Sequence, residues 1–143
     1  MKKTPMKLIG AVALAGALLG AGCGSNSTTA PATTTPTSPT TDTFTSIVSP
    51  NGGVSHAFTA TQAGTVSLTL TAAGPPSTLV MRLGLGVIVN PGGCSLTKIV
   101  DTAAGTAPQL TLAVDAGDYC AAIVDIGNAP PTGASFFISI LHP

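Results

Sequence analysis

Residues 44–143 alternate apolar and polar side chains with a period of two, the mark of strands with one face in a core and one in water. Val66, Leu68 and Leu70 interleave with Ser67, Thr69 and Thr71. Leu79, Met81, Leu83, Leu85, Val87 and Val89 carry a longer alternation, with Gly84 and Gly86 on the opposite face. Glycines in such a place predict a bend or bulge. Leu110, Leu112 and Val114 form a third run. Tyr119, Ala121 and Ile123 alternate with Cys120, Ala122 and Val124, so both faces are apolar and the strand is expected at the centre of a sheet. Phe136, Ile138 and Ile140 make the last run, and shorter ones fall at 44–48, 54–60 and 96–100. Turn signals separate them: Pro50-Asn51-Gly52-Gly53, Ala73-Gly74-Pro75-Pro76, Asn90-Pro91-Gly92-Gly93, Asp115-Ala116-Gly117-Asp118 and Asn128-Ala129-Pro130-Pro131. About eight short strands at this spacing predict an all-β domain, an antiparallel β-sandwich or jelly roll. No stretch after Thr43 carries a helical stripe.

Upstream the pattern is different in kind. Lys2, Lys3 and Lys7 precede an unbroken apolar run over residues 8–19. A basic start, a short apolar core and small residues at its end are the parts of a secretory signal peptide. The run is shorter than the ~20 residues a membrane-spanning helix needs. Gly20-Ala21-Gly22 then lead directly into Cys23. This segment resembles the lipobox of bacterial lipoproteins, in which a small residue precedes a cysteine that is lipidated and becomes the new N-terminus. The resemblance implies a signal peptide over 1–22 and a lipid anchor on Cys23. Gly24 follows where Asp would favour inner-membrane retention, so the resemblance points to the outer membrane of the cell envelope. Residues 24–43 are dominated by Thr, Pro and Ser, with almost no apolar surface to offset the entropy of ordering. Pro31, Pro36 and Pro39 favour extended polyproline II. At about 3.1 Å per residue the segment reaches about 60 Å when fully extended. The expected organisation is a leader over 1–22, a lipidated Cys23 and flexible linker over 23–43, and a β-sandwich over 44–143.

Composition narrows the partners. Without the leader, Arg82 and Lys98 stand against Asp42, Asp101, Asp115, Asp118 and Asp125, and there is no Glu, a net charge of −3. Nucleic acid is excluded as a partner, because phosphate contacts need clustered Lys and Arg. Electrostatic attachment to anionic lipid is excluded for the same reason. With no Trp and one Tyr, the aromatic platform of many sugar or peptide binders is largely missing. Cys94 and Cys120 remain beyond Cys23, and in an exported chain they are expected to form a disulfide. Closing that loop stabilises by roughly 3–4 kcal/mol in the chain-entropy account.

Several segments, in order, resemble the bacterial pre-peptidase C-terminal domain. They are Gly53-Val54-Ser55-His56-Ala57-Phe58-Thr59-Ala60, Ala63-Gly64-Thr65-Val66-Ser67-Leu68-Thr69-Leu70, Ala116-Gly117-Asp118-Tyr119-Cys120-Ala121-Ala122-Ile123 and Phe136-Phe137-Ile138-Ser139-Ile140. The Ala-Gly-x-Tyr turn before a central strand is the most telling of them. That resemblance implies a small β-sandwich that serves exported enzymes in secretion, surface association or substrate binding and takes no part in their chemistry.

Catalysis has no candidate constellation. Hydrolytic chemistry needs a nucleophile, a base and an orienting group. The chain has two histidines and no Gly-x-Ser-x-Gly elbow. His56 reads as a partly buried, hydrogen-bonded strand residue, and His142 sits beside the C-terminus. Arg82 reads as an exposed, solubilising charge. Asp115, Asp118, Asp125 and Asn128 offer hard oxygens on neighbouring loops and are the candidate calcium ligands; turn chemistry is their simpler reading. The expected role is a non-catalytic, lipid-anchored envelope module without an obligate cofactor. It would bind an envelope protein or glycan, with self-association through strand edges or service to a secreted hydrolase as alternatives.

Overall fold

The computed structural model describes residues 38–90 and 92–143. The leader, Cys23 and most of the linker lie outside the described residues. Eight strands follow one another: β1 (Thr40–Val48), β2 (Gly53–Ala60), β3 (Gly64–Gly74), β4 (Met81–Val89), β5 (Gly93–Thr102), β6 (Leu110–Val114), β7 (Gly117–Asp125) and β8 (Ala134–His142). Each expected strand is present, and every pairing between them is antiparallel. β1 begins at Thr40, four residues before the first apolar position. Thr40, Thr41, Asp42 and Thr43, read as linker, therefore belong to the sheet. They pair with His142, Leu141, Ile140 and Ser139. Backbone ladder bonds hold them there, and such bonds leave no apolar signal in a sequence.

The strands form two four-stranded sheets in the orders β1-β8-β3-β6 and β2-β7-β4-β5. Pairing is nested: β1 with β8, β2 with β7, β3 with β6 and β4 with β5. This is a long hairpin rolled into two layers, the jelly-roll form of the sandwich. The central strands supply most of the core. In one sheet Leu68 lies opposite Ile140 and Leu70 opposite Ile138. In the other, Leu83 lies opposite Ile123 and Leu85 opposite Ala121. All eight of these side chains are fully buried. Each aliphatic among them contributes about 1.5–3 kcal/mol by leaving water. The central position expected for β7 is found, between β2 and β4.

An even number of antiparallel strands puts both ends of the domain on one side. Thr40 pairs with His142, and Thr61 N–H donates to the Pro143 carbonyl at 2.9 Å. That end also carries the β2–β3, β4–β5 and β6–β7 connections. The β1–β2, β3–β4, β5–β6 and β7–β8 connections gather at the other end.

Candidate functional site

Of the residues singled out from sequence, Cys94 and Cys120 are brought together: they form a disulfide with Cα atoms 5.8 Å apart. The bridge joins β5 to β7, which flank β4. Two strands apart in a flat sheet means about 9.5 Å, so β5 has folded over the face of β4. The glycines make this possible. The ladder shifts register between Leu85 and Gly86, giving the expected bulge. A Cβ on Gly86 would sit 2.0 Å from the Ser95 carbonyl oxygen, and one on Gly84 would sit 2.7 Å from Leu96 Cδ1. The bare backbone at these two positions lets Ser95 and Leu96 close down and carries Cys94 across to Cys120.

The four oxygen-bearing candidates do not assemble. Asp115 and Asp118 lie at the start of β7, whereas Asp125 and Asn128 lie at its end. Seven residues of extended chain separate Asp118 from Asp125 by about 24 Å. Each pair does local work. Asp118 accepts a hydrogen bond from the Thr59 hydroxyl on β2 at 2.7 Å. The Asp115 carbonyl accepts from the Tyr119 hydroxyl at 3.1 Å. Asp125 is buried and accepts from the backbone N–H groups of Asn51 (2.7 Å), Asn128 (2.9 Å) and Ala129 (2.9 Å). The Asn51 N–H first, and then those of Asn128, Ala129 and Gly127, hold its carboxyl below the usual aspartate range against the opposing effect of burial. Asp125 thereby ties the β1–β2 turn to the β7–β8 turn. Among the described residues, no group of three or more His, Cys, Asp or Glu is placed to hold a metal ion.

Both histidines enter a seam of rings between edge strands β1 and β2. His56 stacks on Phe44 with centroids 5.2 Å apart, and Phe44 meets Phe136 edge-on at 4.9 Å. His142 packs on Phe58 at 5.1 Å, and Phe58 stacks on Tyr119 at 6.1 Å. His56 is partly buried as expected, but its described side-chain contact is a ring stack in place of the expected hydrogen bond. His142 is buried. Its Nε2 has no hydrogen-bond partner and lies 3.4 Å from Asp42 Oδ2. Rings closing the open side of a sandwich add contact energy beyond their buried area. The seam escaped sequence reading because its members come from two strands near the start of the domain and two near its end.

Arg82, expected to be exposed, is half-buried and not solitary. It faces Asp101 directly across the β4–β5 ladder and binds it in two-pronged fashion, Nε at 2.7 Å and Nη2 at 2.9 Å. Those hydrogen bonds lower the Asp101 carboxyl below its ordinary value.

The alternation assigned to β4 fails at its end. Met81, Leu83 and Leu85 are fully buried, but Val87, Ile88 and Val89 are 39%, 40% and 42% exposed. The physical reason is strand length. The ladder of β4 with β7 stops at Val87–Tyr119, whereas its ladder with β5 continues to Val89–Gly93. The hairpin therefore runs past the neighbouring strand, and its last apolar residues have no second layer to cover them. Among the described residues there is no cleft or cavity.

No protein-family model and no curated protein matches the chain. Among solved structures, it is similar to the crystal structure of a Yersinia pseudotuberculosis-derived mitogen at 17% identity, with a TM-score of 0.49, covering 73% of this chain and 86% of that one.

Proposed function

We propose that this chain is a lipid-anchored, non-catalytic module of a bacterial cell envelope, binding or adhering to an envelope protein or glycan. One observation carries the reading: a basic and apolar leader ends in small residues at Cys23, and a Thr/Pro/Ser spacer then leads to a stapled sandwich. A flexible spacer between lipid and fold leaves the fold free to turn and engage a partner at or near the membrane that holds it. Several acyl chains on one cysteine give durable anchoring, since each buried CH₂ contributes about 0.8 kcal/mol. The disulfide supports export, because such bonds persist in oxidising compartments. Resemblance to the pre-peptidase C-terminal domain supports a surface role in place of a chemical one, and Gly24 favours the outer membrane.

Cys23→Ala tests the anchor. The substituted chain should leave the membrane fraction or stay unprocessed. Unchanged fractionation with a normal mature mass would overturn lipidation. Crosslinking of the anchored protein in envelope preparations, together with a glycan array, tests the binding role; silence in both would overturn it. A second reading, self-assembly, draws on edge strand β1, whose Ile47 is 62% exposed. Bare edges pair with other chains. Sedimentation that is independent of concentration would dismiss it.

A further inference from the structure

The β4–β5 hairpin is the feature that the binding role leaves unused. Val87, Ile88 and Val89 are three consecutive exposed apolar residues at its end. No charged residue occurs between Arg82 and Lys98, so the whole tip is neutral. The tip is also held in shape. The Cys94–Cys120 bond fastens its return strand to β7, and β5 lies down on Gly84 and Gly86. A held apolar projection loses little freedom on docking, which lowers the cost of binding.

The topology decides which way it points. Thr40, where the chain from Cys23 enters the sandwich, lies at the end that also carries the β4–β5 connection. Two ladders establish this. Val87 pairs with Tyr119, at the start of β7, and the start of β7 pairs with the end of β2 through Gly117 and Ala60. Thr61 then bonds to Pro143, beside the Thr40–His142 pair. Thr40 and the apolar tip lie at the same end of the domain.

We infer that the tip formed by Val87, Ile88 and Val89 is a second, non-covalent membrane contact, which enters the apolar edge of the bilayer that holds the lipid. The inference rests on the anchored reading above. Occupancy by bilayer follows from where the tether enters and from the lack of charge. Asp42, Asp115 and Asp118 share this end of the domain and would repel anionic headgroups, so the contact is apolar and shallow and works on neutral lipid. It sets the domain upright, with the Asp125 end facing away from the membrane and available to partners.

The chain has no tryptophan, which permits a clean probe. Full-length lipidated Ile88→Trp and, at the opposite end, Ser77→Trp are reconstituted in phosphatidylcholine vesicles containing lipids brominated on the acyl chain. The expected result is blue-shifted emission and strong quenching for Ile88→Trp, with aqueous, unquenched emission for Ser77→Trp. Adding Val87→Asp and Val89→Asp to Ile88→Trp should abolish the quenching while the chain still sediments with vesicles. Sedimenting vesicles with an unquenched Ile88→Trp would overturn the tip contact and leave the anchor standing. A blue shift without quenching would indicate a protein on the tip and overturns the bilayer assignment. Failure of the chain to sediment at all would overturn both readings.

Discussion

The two ends of the sandwich are built on opposite principles. At the end remote from the tether, turns are held by polar bonds that converge on few residues. Asp125 accepts from three backbone N–H groups of two turns, and Gln109 pairs with both the N–H and the carbonyl of Leu70, at 2.8 Å and 3.3 Å, extending the edge of β3 beyond β6. At the tether end, the β4–β5 hairpin is held by a disulfide and by backbone packed against glycines, with exposed valine and isoleucine near its end. One end fastens its turns through the polar side chains of Asp125 and Gln109, with Ile47 and Ile126 exposed singly beside them. The other keeps an apolar point rigid by covalent and steric means. A hairpin of that kind held only by apolar contacts would be expected to bend back and bury its tip.

Gly86→Ala should break the tether end most severely. A methyl group placed 2.0 Å from the Ser95 carbonyl forces β5 off β4. A loss above the ~1–3 kcal/mol typical of overpacking, about 4 kcal/mol in denaturant unfolding or failure to fold, is expected because the obstacle is backbone that cannot turn aside. Normal stability would show that β5 can lie elsewhere.

Cys94→Ser comes next, at roughly 3–4 kcal/mol by the loop-entropy account. The released Cys120 should become reactive to thiol reagents. Equal reactivity in the unsubstituted protein would contradict the bridge.

Asp125→Asn tests the other end, and here pH is the sharper readout. The folded-state carboxyl is held below its unfolded value of about 3.9. Its contribution is therefore complete above that value and is lost as pH falls through the folded value. Melting temperature should fall in the unsubstituted protein as pH drops below about 4. In Asp125→Asn it should start lower at neutral pH and fall less steeply. Asp101, lowered by Arg82, leaves a residual slope of the same sign. Parallel pH profiles in the two proteins would remove Asp125 from its place as the tie between turns.

The smallest effect is expected at the tip. Ile88→Ser removes a side chain already 40% exposed and should change stability by about 0.5 kcal/mol or less, as surface substitutions do. A large loss would mean that the tip is part of the core, and the contrast between the two ends would fail.

Much of this was legible in the chain. Period-two alternation located all eight strands, and the doubly apolar run at 119–124 marked β7 as central. Gly84 and Gly86 marked the bulge. Export chemistry anticipated the Cys94–Cys120 bond. These signals are local or compositional, so they survive in one dimension. The start of β1 was misplaced because Thr40–Thr43 are held by backbone pairing with β8 and not by burial. Val87 and Val89 were read as interior because alternation records a strand's phase but not the length of its neighbour.

The sequence by itself determined the strand pattern, the low charge and the contrast between a Thr/Pro/Ser-rich stretch and the alternating domain. Tertiary structure decided what depends on which strands meet. Nested pairing drew both histidines and their ring partners into one seam. It also set Thr40 and the apolar hairpin at one end. The physical reason is that side-chain phase is fixed within a strand, whereas the surroundings of a strand's last residues depend on where strands distant in the chain begin and end.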